Sequence, residues 1–474
     1  MPFCTAAIQE FQYQDCFAPF AQGDGLPLPE VLTAETIEQI AREEGVAFGR
    51  SAKAWWTPAL TLWAFLGQVL NADPSCRQAV AGVVLAFALV RDPVDLDTAA
   101  YCRARAKLPV RFLERLTWHL AAGLEAAAPE SWFWKGRRVR LVDGSTSRLP
   151  DTPENQRVFP QPKTQKPGLG FPLIRWVLLV SLATAAVHGL AYGPYQGKEA
   201  GETALFRQLL DHLAVGDVVV ADRFYCSYFL VALLRARGVD VVFRLHQRRK
   251  YDFRRGQRLG ADDHLVRWHK PQRPEWMDAE LYAEMPATLE IRETRWQVRQ
   301  PGCRVEELIL ATTLSDASTY TAAAIADLYQ ERWQIELDIR TLKVTLGMDQ
   351  LRCKTPFLIA REIWAHCLAY NLVRKVAAQA AVLAEVSPRS ISFKATKQLI
   401  LGGWDRLSAG SADERRTLAQ SLLHALRKEK VGHRPGRCEP RAVKGRPKSH
   451  KLLTEPRAEA KARLLQSRSR PARR

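Results

Sequence analysis

The alternation of strand-like and helix-like segments between residues 138 and 245 constrains the fold more than any other feature of the sequence. Two of these segments are short apolar runs that each end on an aspartate, Arg138–Asp143 (RVRLVD) and Asp217–Asp222 (DVVVAD). Apolar runs of this length are typical of buried strands. Because the carboxyl ends of parallel strands meet at one edge of an open α/β sheet, Asp143 and Asp222 are expected to converge if their strands are neighbours. An acid at a strand end is also common without any function, so neither aspartate alone decides the matter.

The neighbouring segments extend this pattern. They predict a hairpin at Trp176–Leu182 and Val187–Tyr192, helices at Thr203–Leu213 and Ser227–Arg237, and a strand at Val239–Leu245. The resulting order, three strands followed by helix, strand, helix and strand, predicts an α/β fold but does not select one such fold over another. Residues 248–305 are charged and dotted with proline, which predicts a small, mostly β insertion before a strand at Glu307–Leu314.

The stretch 320–347 predicts a single long helix, because it contains good helix formers and no proline. At about 100° per residue, four side chains of different chemistry fall within roughly 60° of one another on this helix. These are Tyr329, Arg332, Glu336 and Lys343. Two other acids, Glu331 and Asp338, fall on the far side. One carboxylate, two cations and a phenol on one face suit a metal-bound phosphate, although mixed charges at helical spacing are also typical of a solvated face.

The spacing Tyr-x2-Arg-x3-Glu-x6-Lys resembles the signature of the DDE transposases of the IS-four family of bacterial insertion sequences. The contexts VDGST around Asp143 and ADRFY around Asp222 match the first and second acidic motifs of that family, and Glu336 matches the third. The resemblance covers about residues 95–375. It implies an α/β, ribonuclease-H-like catalytic core with a mostly β insertion, flanked by an α-helical N-terminal domain and a helical, basic C-terminal region.

The resemblance also implies roles for individual residues. Asp143, Asp222 and Glu336 would be catalytic and hold two Mg²⁺ ions, for which Mn²⁺ would substitute. The cations and the phenol of the helix would grip DNA phosphates at the transposon end, and these are Tyr329, Arg332 and Lys343. In relatives an aromatic side chain of the insertion stacks on a flipped base. Trp296 is the chosen candidate over Trp268 and Trp276, with core packing as the competing role for each.

The function implied is cut-and-paste DNA transposition, in which the enzyme nicks the element end, forms and reopens a hairpin, and joins the end to target DNA. The expected partners are double-stranded DNA, as terminal inverted repeats and as target, and a second copy of the chain when DNA is bound; no membrane is involved. The expected location is the bacterial cytoplasm, at the nucleoid. A ribonuclease-H-like nuclease that only hydrolyses is one alternative, disfavoured by the phosphate-gripping helix. A DNA-binding protein with decayed carboxylates is another, disfavoured because all three acids are present.

Charge and cysteine content agree with a DNA partner and a reducing compartment. The 474 residues carry a formal net charge of +19, which favours a polyanion. Residues 427–474 hold 17 Lys/Arg and 4 Glu, so 13 of the 19 net charges lie there. From about Gly432 the chain is rich in Arg, Lys and Pro and is expected to lack fixed structure until DNA is present. The nine cysteines include no Cys-x2-Cys pair, so neither a zinc site nor a disulfide framework is indicated.

No signal peptide is recognised at the N-terminus, and the apolar runs Ala59–Leu70 and Ala79–Val90 are too short to span a bilayer.

These patterns divide the chain into five predicted regions. Residues 1–135 would form a helical DNA-binding domain, for which an ordinary helical bundle with a charged face is the even alternative. Residues 136–247 and 306–380 would form the two parts of the core, residues 248–305 the insertion, and residues 381–474 the C-terminal helical region and basic tail.

Overall fold

The computed structural model describes residues 34–49, 54, 56–87, 96–297, 307–409, 412–432 and 453–468. The helices before the sheet are α1 (Ala34–Glu43), α2 (Pro58–Leu70), α3 (Cys76–Phe87), α4 (Ala99–Lys107) and α5 (Val110–Ala126). The first half of the core contains β1 (Val139–Arg148), α6 (Pro153–Val158), β2 (Leu173–Ser181), β3 (Val187–Pro194), α7 (Glu202–Arg207), β4 (Val218–Ala221), α8 (Tyr228–Ala236) and β5 (Asp240–Arg244). It is a mixed α/β arrangement, as the sequence predicts.

The second half of the described chain begins with strands and ends in helices. It contains β6 (Gln257–Gly260), β7 (Asp263–His269), α9 (Ala279–Glu284), β8 (Thr288–Gln297), β9 (Glu307–Thr312), α10 (Ala322–Gln330) and α11 (Trp333–Arg340). A π-helical turn (Thr341–Thr345) follows, and then α12 (Pro356–Leu383), α13 (Phe393–Ala409), α14 (Ala412–Leu426) and α15 (Arg457–Arg468). None of the described helices is both long enough and apolar enough to cross a membrane.

The described strands form one nine-stranded sheet in the order β3-β2-β1-β4-β5-β9-β8-β7-β6. The strand β1 pairs antiparallel with β2 and parallel with β4, and β4 is parallel to β5. The two apolar runs that end on aspartates are therefore neighbouring parallel strands. The insertion strands β6, β7 and β8 continue the same sheet, because β8 pairs with β9.

Successive residues of the central strands face two different cores. Leu141 and Val220 belong to a core shared with the N-terminal and C-terminal helices, whereas Val142 and Val219 belong to a core shared with α7 and α8. This alternation is the two-residue period of a strand, and helices cover both faces of the sheet.

The long helix α12 lies within the first of these cores, and nearly all its residues from Ile359 to Ala381 are buried. Its Asn371 satisfies the edge strand β3, since the side-chain oxygen accepts from the Val187 N–H at 2.8 Å and the amide donates to the Val187 carbonyl at 2.9 Å. The same amide donates to the Thr117 carbonyl of α5 at 3.1 Å. One polar side chain thus ties the sheet edge to the N-terminal helices.

The structure departs from the predicted single helix over 320–347. The segment is divided into α10, α11 and a π-helical turn, with i→i−3 hydrogen bonds from Arg332 to Tyr329 and from Ile335 to Arg332. The tail also differs from its prediction, because residues 457–468 form α15. Arg, Lys, Ala and Leu dominate that stretch, and all four favour helix.

The basic helix α4 exposes only part of its charged face. Tyr101 and Arg105 are buried and bond to the Gln68 side chain at 2.7 and 3.0 Å, whereas Arg103 and Lys107 are exposed. Half of this face therefore packs inside the helical bundle.

Candidate active site

Asp143, which lies inside β1, and Asp222, which directly follows β4, lie side by side. Leu141 of β1 is aligned with Val220 of β4, so Asp143 and Asp222, each two residues further along, occupy equivalent positions on neighbouring strands. The strand β4 ends at Ala221, while β1 continues along β2 to Arg148. The sheet therefore opens at the two acids, and the carboxylates converge at this opening.

Backbone amides orient both aspartates. An Asp143 oxygen accepts from the Gly144 N–H at 2.8 Å. Asp222 caps a 3₁₀ turn (Arg223–Tyr225) by accepting from the Phe224 N–H at 2.8 Å. Each carboxylate keeps further lone pairs for a ligand.

Burial raises the pKa of Asp143 to about 6, despite the lowering effects of the Gly144 N–H and of Arg332. Asp222 and Glu202 raise this pKa further, because a second negative charge nearby disfavours ionisation. The opening of the sheet is therefore short of positive charge.

Arg332 joins the third acid to the first. Its guanidinium lies 2.6 Å from Glu336 Oε1 and 3.6 Å from Asp143 Oδ2. The position of Arg332 at the junction of α10 and α11 allows one side chain to reach both acids. Despite burial, the pKa of Arg332 is raised by Tyr329, Glu336 and Asp143, so the group is charged at all relevant pH values.

The other two residues of the predicted stripe also face β1 and β4. Lys343 Nζ lies 3.2 Å from Ser145 Oγ and 3.1 Å from Asp349 Oδ1, which fixes the π-helical turn against β1. Tyr329 is buried, and burial raises its pKa to about 12, so its phenol is protonated at neutral pH. Arg332 donates a hydrogen bond to this phenol, and Asp222 is among the charges that act on it.

The structure brings the six predicted residues together but leaves Glu336 turned toward Arg332. In the part of the chain that the structure describes, no group of three His, Cys, Asp or Glu side chains surrounds a common point as a metal site would. The donor set nevertheless fits a hard divalent cation, since every acid at the opening offers oxygen ligands. The sequence predicted Arg332 and Glu336 on one face, but it did not predict that the guanidinium lies between Asp143 and Glu336.

The ring that was predicted to stack on a base, that of Trp296, is less exposed than two other rings beside the acidic motifs. Trp296 is half-buried and packs against the core. Phe224 and Trp333, which directly follow Asp222-Arg223 and Arg332, are 63% and 57% exposed. Sequence reasoning passed over both, although their position beside the acidic motifs was a usable signal. It also gave no role to Tyr225, which lies in the ADRFY motif, or to Glu202, for which spacing along the chain offers no signal.

Comparisons with known proteins find transposases. A family model described as "Transposase DDE domain" matches residues 134–372, about half of the chain and a window that contains all six residues. "Transposase InsG for insertion sequence element IS4" of Escherichia coli (strain K12) is 27% identical over 426 residues, which is 89% of this chain and 92% of that protein. "Transposase for insertion sequence element IS421" of Escherichia coli is 42% identical over 66 residues, 14% of this chain and 18% of that protein.

Among solved structures, a cryo-EM structure of a piggyBac transposase synaptic complex with hairpin DNA is similar with a TM-score of 0.37 and 12% sequence identity. The match covers 96% of this chain and 90% of that one.

Proposed function

Since the chain belongs to the DDE transposase family and is an enzyme acting on DNA, we propose that it moves an insertion sequence by cut-and-paste transposition. The reaction would nick the element end, use the freed 3′-OH to form a hairpin with the opposite strand, reopen the hairpin, and join the end to target DNA. The observation that carries this proposal is the equivalent placement of Asp143 and Asp222 on parallel neighbours, with Glu336 held alongside by Arg332. The proposed fold is ribonuclease-H-like, supported by the strand order β3-β2-β1-β4-β5.

Asp143, Asp222 and Glu336 are proposed to hold two Mg²⁺ ions, with Mn²⁺ as a substitute. The cations would activate the attacking oxygen and stabilise the departing one. The protein holds the three acids in different ways. Asp143 and Asp222 are fixed by backbone amides, and Glu336 depends on the position of α11 beside β1.

Arg332, Lys343 and Tyr329 are proposed to hold DNA phosphates near the acids. A guanidinium can offer two parallel N–H groups to one phosphate, whereas an ammonium acts as a point charge. The protonated phenol of Tyr329 can donate one further hydrogen bond. These groups would keep a cut end in place while the next phosphate arrives, which a simple hydrolase does not require.

Base stacking remains a prediction for Trp296. The exposed rings of Phe224 and Trp333 offer a second location for the same interaction, because a base can stack only on a ring face that is open to it. The proposed partners are the terminal inverted repeats and the target DNA. A second copy of the chain is proposed in the DNA complex, since an element has two ends.

The test uses a duplex that carries the terminal repeat read from DNA flanking the gene, with Mg²⁺ and full-length protein. We expect nicked, hairpin and joined products to form in succession. Glu336→Gln should give none of them. The matched control is Glu331→Gln, an exposed acid on the opposite side of the same segment, which should give all three.

Two results would contradict the proposal. Nicked product without hairpin or joined DNA would favour a hydrolase. Full activity of Glu336→Gln would remove Glu336 from the catalytic set.

A further inference from the structure

A fourth carboxylate, that of Glu202, lies against the two aspartates. It belongs to the first turn of α7, a helix that packs on β1, β2 and β3. A Cβ atom added to Gly144 would lie 2.6 Å from both Cγ and Cδ of Glu202 and 2.9 Å from Oε1. The missing side chain at residue 144 therefore provides the space into which the Glu202 carboxylate fits, next to Asp143.

Glu202 does not obtain a counterion from this placement. Within the described residues it makes no hydrogen bond or close ion pair. Burial raises its pKa; Arg175 opposes that effect, and Asp222 adds to it. The Arg175 guanidinium donates instead to the Ala200 carbonyl at 2.9 Å. A half-buried acid beside two others is unfavourable unless positive charge reaches it from outside the chain.

The hydroxyl of Tyr225 gives an independent indication of a ligand. Tyr225 is fully buried, and its hydroxyl has no hydrogen-bond partner in the described structure. Burial raises the pKa of this hydroxyl, and Glu202, Asp143 and Asp222 raise it further, so the hydroxyl lies near these carboxylates. Leaving a buried hydroxyl unpaired is unfavourable, which favours an arrangement of the site in which this donor is used. Its ring is held edge-on by Phe206 of α7, 5.7 Å between centroids.

Building on the metal-dependent cleavage proposed above, we propose that Glu202 is a fourth carboxylate of the cation site and that Tyr225 is a positioning residue that donates a hydrogen bond within it. Two divalent cations bring four positive charges, and Asp143, Asp222 and Glu336 supply only three negative ones. Glu202 supplies the fourth. The protein can then retain both cations before a DNA phosphate adds its own charge.

The experiment measures Mn²⁺ binding to the full-length protein without DNA, by electron paramagnetic resonance of the free ion. Glu202→Gln keeps the shape of the side chain and should weaken Mn²⁺ binding about tenfold. Gly144→Ala should do the same, because its new Cβ meets the flexible end of Glu202 and displaces it. Tyr225→Phe should weaken binding less. Glu154→Gln is the matched control, since Glu154 is exposed in the first turn of α6, a helix of the same length, and should change nothing.

The outcomes separate this inference from the proposal on which it rests. Wild-type Mn²⁺ binding by Glu202→Gln, together with lost binding by Asp222→Asn, would overturn the role of Glu202 alone. Unchanged binding by Tyr225→Phe would overturn the role of Tyr225. Unchanged binding by Asp222→Asn, or none by the unaltered chain, would count against the two-metal proposal itself.

Discussion

Two groups of charged side chains lie on opposite sides of α11, and their acids are neutralised to different degrees. Asp338 is fully buried and receives hydrogen bonds from Tyr370 at 2.8 Å, Arg374 at 3.0 Å and Arg389 at 2.8 Å. Two residues earlier, Glu336 shares a single guanidinium with Asp143. The first group, the Asp338 cluster, has two cations for one acid. The second, the carboxylate opening, has Arg332 as the cation in contact with its acids.

The difference shows how a buried acid's role can be recognised. An acid that serves the fold is neutralised by its own chain, because an unpaired buried charge costs several kcal/mol. An acid that serves a ligand is left short of charge, and its pKa is raised, as that of Asp143 is to about 6. The same helix therefore carries Asp338, which two arginines neutralise, on one face and Glu336, which lies at the carboxylate opening, on the other.

The largest effect expected from this comparison concerns Asp143→Asn. Strand cleavage should fall at least about a thousandfold, because the amide is a poor ligand for a divalent cation. Yet the variant should be more stable than the unaltered chain without divalent cations, by at most about 3 kcal/mol at pH 8. The measurement is denaturant unfolding beside a cleavage assay.

The pH dependence fixes the sign of that gain. The folded pKa of Asp143, about 6, lies above its unfolded value of 3.8. The folded state therefore binds more protons between these values, and the contribution of Asp143 to stability is lost as pH rises through them. The stability difference between variant and unaltered chain should be smallest below pH 4 and reach its full size above pH 6. A stability difference that does not change with pH would contradict the raised pKa of Asp143 in the folded state.

Asp338→Asn should have the opposite effect on stability. It leaves Arg374 and Arg389 buried without a counter-charge, so the free energy of unfolding should fall by about 3–5 kcal/mol. Mn²⁺ affinity should be unchanged at a temperature where the variant is folded, because Asp338 faces away from the carboxylate opening. A variant as stable as the unaltered chain would show that this cluster does not hold α11 in place.

The sequence predicted the carboxylate opening and the Asp338 cluster to different extents. It placed Asp222 correctly after a buried strand, because a short apolar run encodes a strand whatever surrounds it. It was wrong to end the first strand at Asp143, since β1 continues to Arg148. It also put Asp338 on the far side from Glu336, since both lie in one short helix. The prediction of one regular helix over residues 320–347 was wrong. The i→i−3 turns near Arg332 are wound more tightly than an α-helix and the π-helical turn near Lys343 more loosely, so their deviations offset each other in part, and both cations face β1. Such compensation depends on packing against β1, which periodicity does not include.

Glu202 could not have been found in the same way. Its proximity to Asp143 depends on the sheet order and on the space left at Gly144, and both are features of the tertiary structure. The roles of all these residues in catalysis and DNA binding stay predictions.

The smallest expected effect compares the arginines of the two groups, through Arg332→Lys and Arg374→Lys. Arg332→Lys should change stability little, because Arg332 bridges acids that are partly open to solvent. It should slow hairpin formation and joining about tenfold from a pre-nicked end, since an ammonium lacks the planar fork that holds a phosphate. Nicking of intact duplex should suffer less, because other basic surfaces also hold that substrate. Arg374→Lys should lower stability and leave the ratio of these steps unaltered, since its guanidinium is buried on Asp338 and Tyr370. If Arg332→Lys slowed nicking and the later steps in equal proportion, Arg332 would not be retaining the cut end, and its contact with Asp143 and Glu336 would be its main role.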